Sequence, residues 1–193
     1  SEKRLKNKLS HVTEAYIRNW LEREEEIKRK VRALIISEMN AVEVNGRSLV
    51  VTDVLVKYIM KTLRTDLKLL EDAGKDSFEI IGREIVVKGD FHGFSFVGFI
   101  DRLDAFDKDQ VRVVDYKTGA VLDEDFMIEE YGPLDVADKI FAPDIQGRPK
   151  IAFQFYIYDL LLQGREEVKD RQIHNCIYST SRLFRELPQS RPL

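Results

Sequence analysis

A change of hydrophobic period at Phe78 divides this chain into a helical part and a strand-rich part. From about Glu2 to Met39, apolar residues recur at helical spacing: Leu9, Val12, Tyr16, Trp20, Ile27, Val31, Leu34 and Ile35. The spacing predicts a long amphipathic helix with room for one break, closed by Asn45-Gly46. Thr52 or Asp53 is the expected N-cap of a second helix, through Leu55, Ile59, Leu63, Leu67 and Leu70 to Ala73-Gly74. Beyond it, Phe78–Val87, Gly93–Phe106 and Val111–Lys117 read as strands, with turns at Gly89-Asp90 and Asp107-Lys108-Asp109. Three consecutive strands predict an antiparallel meander. The acidic stretch from Gly119 to Pro149 is too long for a simple connection and is expected to be a lid or binding loop. Ile151–Gln163 then reads as a helix, and Asn175–Thr180 as a short strand. The expected fold is α/β in an α+β layout: a central mixed sheet flanked by helices, with a long helical N-terminal region. Residues 1–75 would form its helical part and 76–193 its core, within a single domain.

Composition excludes several functions. A chain of 193 residues suits one ordinary domain. Its Lys+Arg 31 and Asp+Glu 34 nearly cancel, so nucleic-acid binding would need a local patch. The single Cys176 rules out an internal disulfide and a multi-thiolate zinc or iron–sulfur cage, and suits a reducing cytoplasm. No run of about 18 apolar residues is present, and Ser1-Glu2-Lys3-Arg4 is no signal peptide, so no membrane association is expected. The start in mid-pattern and the tail Pro188-Gln189-Ser190-Arg191-Pro192-Leu193 suggest a domain of a longer polypeptide.

Strand alternation puts Val113, Asp115 and Lys117 on one face, and Val114 and Tyr116 on the other. Asp101 lies on the preceding strand, so Asp101 and Asp115 can share one site. Two such carboxylates repel unless a divalent cation lies between them, and an all-oxygen set suits Mg²⁺ or Mn²⁺. Phosphodiester hydrolysis uses that arrangement, with a lysine such as Lys117 orienting the nucleophile or stabilising developing charge. An acid two residues before a lysine also occurs at Glu26/Lys28, Asp66/Lys68 and Glu167/Lys169, in segments where it reads as surface charge. On residue chemistry alone, Asp115 and Lys117 read equally as a site or as a structural ion pair. Gln154 and Tyr158, four apart, share a helix face and can steer a phosphate or Lys117, or serve as a surface amide and a core residue.

Gly98-Phe99-Ile100-Asp101-Arg102-Leu103-Asp104, then Val113-Val114-Asp115-Tyr116-Lys117-Thr118-Gly119, then Gln154-Phe155-Tyr156-Ile157-Tyr158, resemble in order the motifs of the RecB-like, AddB-type branch of the PD-(D/E)XK nucleases. The resemblance is best from about Leu49 to Leu162. It implies a restriction-endonuclease-like core, with Asp101, Asp115 and the Tyr116 carbonyl as metal ligands and Lys117 catalytic. Gln154 and Tyr158 would join the site, and Glu84 would be the acid on the first core strand. It further implies Mg²⁺- or Mn²⁺-dependent DNA hydrolysis, exonucleolytic more than endonucleolytic, in the nuclease module of a bacterial double-strand break repair helicase-nuclease. The partners would be DNA and a helicase region or subunit. The histidine that such members carry upstream has no counterpart at His11, which lacks the glycine context and reads as a helix-surface residue. Its equivalent is expected upstream in a longer parent, and its absence should weaken catalysis by this chain.

The remaining features carry no such reading. His92 beside a turn glycine and His174 near a strand start have no second imidazole at ligand spacing. Lys117-Thr118-Gly119 lacks the glycines of a phosphate-binding loop. Arg102, Arg148 and Lys150 are the basic residues expected to meet phosphates. Two other functions stay open on sequence: a catalytically silent DNA-binding or docking module, and a stand-alone nuclease of a defence system or mobile element.

Overall fold

A computed structural model describes residues 11–39, 46–119, 121, 125, 133–142 and 149–179. Two compact units are present, His11–Phe78 and one that carries the described residues from Glu79 onward. The first opens with a short strand, β1 (His11–Thr13), followed by α1 (Glu14–Leu21), α2 (Glu24–Met39) and α3 (Arg47–Ala73). Thr13 caps α1 by accepting the Tyr16 N–H at 3.1 Å, and the break between α1 and α2 falls at Glu22-Arg23. His11 is therefore an exposed strand residue, not a helix-surface one. Ile27 and Val31 of α2 bury against Val56 and Met60 of α3, fringed by Trp20, Leu21, Ile35 and Leu63. Lys28 reaches Asp53 at 2.6 Å, and Arg18 reaches Glu71 at 2.7 Å.

Helix α3 starts earlier than its capping residues predict. Gly46 precedes it, while Thr52 is fully buried inside it and donates to the Ser48 carbonyl at 2.8 Å. A threonine bonding back one turn behaves as an interior residue, not as a cap. The far end is as expected: Gly74 takes a left-handed conformation, φ 61°, and closes the helix. Asp66 is also no surface charge, being 4% exposed.

The sheet has the order β1-β2-β3-β4-β5. Its later strands are β2 (Ser77–Phe91), β3 (Phe94–Ala105), β4 (Gln110–Lys117) and β5 (Gln172–Ser179). Antiparallel β2–β3 and β3–β4 form the expected meander, and β5 lies parallel to β4, which makes the sheet mixed. The first turn sits at His92-Gly93 instead of Gly89-Asp90, where φ values of 50° and 84° allow a tight reversal. The acidic stretch is not wholly loop, since it contains α4 (Pro133–Phe141). Helix α5 (Lys150–Leu162) follows as predicted. It lays Phe155, Tyr158, Leu161 and Leu162 into a core with Val87, Ile100, Leu103, Val111, Val113 and Ile177. The α+β layout with a central mixed sheet is thus the expected one. Among the described residues, no helix is long and apolar enough to cross a membrane.

One irregularity matters for the site. Ile100 and Leu103 both enter the α5-facing core, although strand alternation sends an even and an odd position to opposite faces. Strand β3 therefore reverses its facing between them, at Asp101 and Arg102. Across from this point, between the pairs Arg83↔Arg102 and Ile85↔Ile100, Glu84 has φ 50°.

Candidate active site

Strand β4 delivers Asp115 and Lys117 to the α5 side of the sheet, as alternation requires, and buried Val111 and Val113 hold that face down. The Lys117 ammonium lies 2.8 Å from Asp115 Oδ2 and donates to Gln154 Oε1, also at 2.8 Å. Lysine only donates, so the Gln154 oxygen faces Lys117 and its amide nitrogen faces the other way. That nitrogen donates to Asp115 Oδ1 at 3.3 Å and to the Tyr158 hydroxyl at 2.5 Å. The hydroxyl in turn donates to the Phe99 carbonyl at 2.6 Å. Gln154 and Tyr158, one helical turn apart, thereby tie α5 to β4 and β3 through the acid and the lysine. Tyr158 is both a core residue and a member of this network, its ring packing within the core while its hydroxyl reaches the site.

Asp101 arrives from β3. The β3–β4 pairing includes Arg102↔Val114, and one step further the Asp101 carboxylate receives the Tyr116 N–H at Oδ2, 2.7 Å away. Asp101 faces the same site: its charge works to raise the pKa of Asp115 and of Tyr158. Burial is the largest cause that raises Asp115, followed by the opposing pull of Lys117. Tyr158 is raised mainly by burial too, against its bond from Gln154.

The donor set fits a hard divalent cation. Asp115 Oδ2 is buried and, although ion-paired with Lys117, accepts no aligned hydrogen bond. It shares its surroundings with a second carboxylate that opposes its ionisation. Both features are relieved by a cation between the acids. Among the described residues no group of three or more His, Cys, Asp or Glu side chains could hold a metal. Asp101, Asp115 and a peptide carbonyl would leave the other positions to water and substrate, as Mg²⁺ prefers.

Of the residues singled out by sequence, Asp101, Asp115, Lys117, Gln154 and Tyr158 are brought together, with the Tyr116 peptide between the two acids. Glu84 is exposed on β2 and is not gathered with them. Arg102 is not a surface cation for phosphates: it is 6% exposed and its guanidinium engages Asp104 and Tyr116. Lys150 is exposed at the first turn of α5, and Arg148 lies outside the described residues.

Sequence reading missed the Phe99 carbonyl and the pair that anchors α5. Asn175 of β5 donates to both oxygens of Asp159, at 3.2 and 3.0 Å. Burial, opposed by these bonds, pushes Asp159 up to about 6. No local pattern links two polar residues on a helix and a later strand, although an acid inside the apolar run Ile157-Tyr158-Asp159-Leu160-Leu161 is itself a signal.

None of the curated proteins compared with this chain matches it. The family model of the PD-(D/E)XK nuclease superfamily matches residues 2–181.

Proposed function

The chain belongs to the PD-(D/E)XK nuclease superfamily, and on that footing we propose that it is a divalent-metal-dependent DNA nuclease reacting at Asp101, Asp115 and Lys117. The observation that carries this reading is the grip on Lys117, held between Asp115 and Gln154 beside a second carboxylate. A purely structural ion pair needs neither the buried, unaligned Asp115 Oδ2 nor Asp101 next to it.

Asp101, Asp115 and the Tyr116 carbonyl would hold Mg²⁺ or Mn²⁺, which supplies charge neutralisation at the phosphate and a more acidic bound water. The Tyr116 N–H fixes one oxygen of Asp101. Gln154 sets the direction of the Lys117 ammonium, which stabilises negative charge developing on the phosphate or orients the attacking water. Tyr158 holds Gln154 in that orientation through the Phe99 carbonyl. The motif order further favours a nuclease module of a DNA-repair helicase-nuclease that works from DNA ends.

Incubation with linear and with covalently closed circular DNA, in Mg²⁺ or Mn²⁺, tests both levels of this reading. Degradation of the linear form alone is expected. Nicking or linearisation of the circle would contradict the exonuclease assignment, and survival of both forms would contradict nuclease function.

A further inference from the structure

The motif Asp101-Arg102-Leu103-Asp104 contains two charged residues that the reaction does not use, and both lie in a buried cluster on the sheet face opposite α5. Asp104 is fully buried. Arg112, its cross-strand partner, grips it in a fork, Nε to Oδ1 at 2.7 Å and the terminal nitrogen to Oδ2 at 2.8 Å. Arg102 Nε approaches Asp104 Oδ2 at 2.7 Å. These ion pairs leave another edge of the Arg102 guanidinium to donate to the Tyr116 hydroxyl at 3.0 Å. The guanidinium also lies 5.4 Å from the centre of the Tyr178 ring, and Tyr178 meets the Tyr116 ring edge-on at 5.4 Å.

Tyr116 is thus held at its hydroxyl and at its ring, while the residue is 38% exposed and adds little to the core. What it does carry is the peptide between Asp115 and Lys117, whose N–H holds Asp101. A guanidinium is a rigid, planar donor, suited to fixing a phenol at one distance. Two guanidinium groups converge on the Asp104 carboxylate in one buried cluster. As a stability device it is a poor choice against apolar packing. Its geometry instead ends at the β4 segment that carries Asp115 and bonds Asp101.

We propose that Arg102 is a positioning residue of the active site: through the Tyr116 phenol it fixes the strand end that orients Asp101 and the Tyr116 carbonyl. This rests on the nuclease reading above. Metal sites tolerate only about 0.5 Å of misplacement, and loss of an outer hydrogen bond typically costs about 10–100-fold in metal affinity or activity.

Replacing Arg102 itself would also remove its contacts with Asp104 and the Tyr178 ring and risks the fold, so the test is Tyr116→Phe, which keeps the ring and removes only the hydroxyl. Mn²⁺ affinity by calorimetry, kcat and KM on linear DNA, and Tm are compared with the unaltered chain and with Asp115→Ala. Expected are a loss of about 10–100-fold in Mn²⁺ affinity or kcat, an unchanged KM and an unchanged Tm. Unchanged affinity and kcat in Tyr116→Phe, while Asp115→Ala abolishes Mn²⁺ binding, overturns the positioning role alone. A loss accompanied by a lowered Tm marks a merely structural role and also overturns it. Undiminished Mn²⁺ binding by Asp115→Ala removes the site reading, and the positioning role with it.

Discussion

Asp159 shows how burial sets the behaviour of a single residue beside the site. Its folded pKa, about 6, stands above the ordinary carboxylate value of 3.8, so the folded state binds its proton more tightly than the unfolded chain does. Its favourable contribution is complete below pH 3.8 and is lost as the pH rises through about 6. Above that, the ionised group costs on the order of 1–2 kcal/mol, allowing for partial solvent access. Asp159→Asn keeps an acceptor for Asn175 and removes the charge. Thermal melts should show the variant gaining on the wild type at pH 8 and not at pH 3.5; an equal difference at both would contradict the buried-charge account. Asp115 is raised in the same direction, by burial against the pull of Lys117 and with the help of Asp101.

At the scale of elements, the site depends on how closely α5 approaches β3. A Cβ built on Gly98 would lie 2.8 Å from Tyr158 Cε1 and 3.0 Å from Val87 Cγ2, so only glycine allows the Tyr158 ring to sit there. Gly98→Ala should destabilise the protein by about 1–3 kcal/mol in urea unfolding and lower activity by shifting the Tyr158 hydroxyl from the Phe99 carbonyl. Wild-type stability would show that the helix yields freely. Alternation on β4 makes Asp115 and Lys117 legible as neighbours from the sequence, and helical spacing does the same for Gln154 and Tyr158. Both are local rules, operating over two and four residues. Three features lie beyond the reach of such rules: the Asp159–Asn175 anchor, the Arg102–Asp104–Arg112 cluster, and the reversal of β3 at Asp101. The start of α3 is misplaced by sequence because Thr52 carries a capping side chain while its hydroxyl is satisfied within the helix. Helix α4 is hidden in a stretch whose acids and prolines read as loop.

For the whole molecule, a formal charge of −3 gives no general attraction to DNA, so affinity must come from particular cations. Arg102 is taken up internally. Lys150, exposed at the start of α5, is therefore expected to make a phosphate contact. Lys150→Ala should weaken binding to all sequences alike and reduce the slope of log affinity against log salt by about 0.9. An unchanged slope would remove Lys150 from the interface. The α+β layout and the mixed sheet are readable from the change of period at Phe78, because burying strands on one face imposes that alternation whatever the fold.

The nuclease reading stands or falls on cleavage of linear DNA in Mg²⁺ or Mn²⁺ by the unaltered chain, beside Asp115→Asn and Lys117→Ala variants shown by their melting curves to be folded. Cleavage by the unaltered chain, reduced about 10²–10⁴-fold in both variants, is expected. Cleavage that persists undiminished in both variants, or no cleavage together with no divalent-ion binding by the unaltered chain, would contradict a reacting centre at Asp101, Asp115 and Lys117.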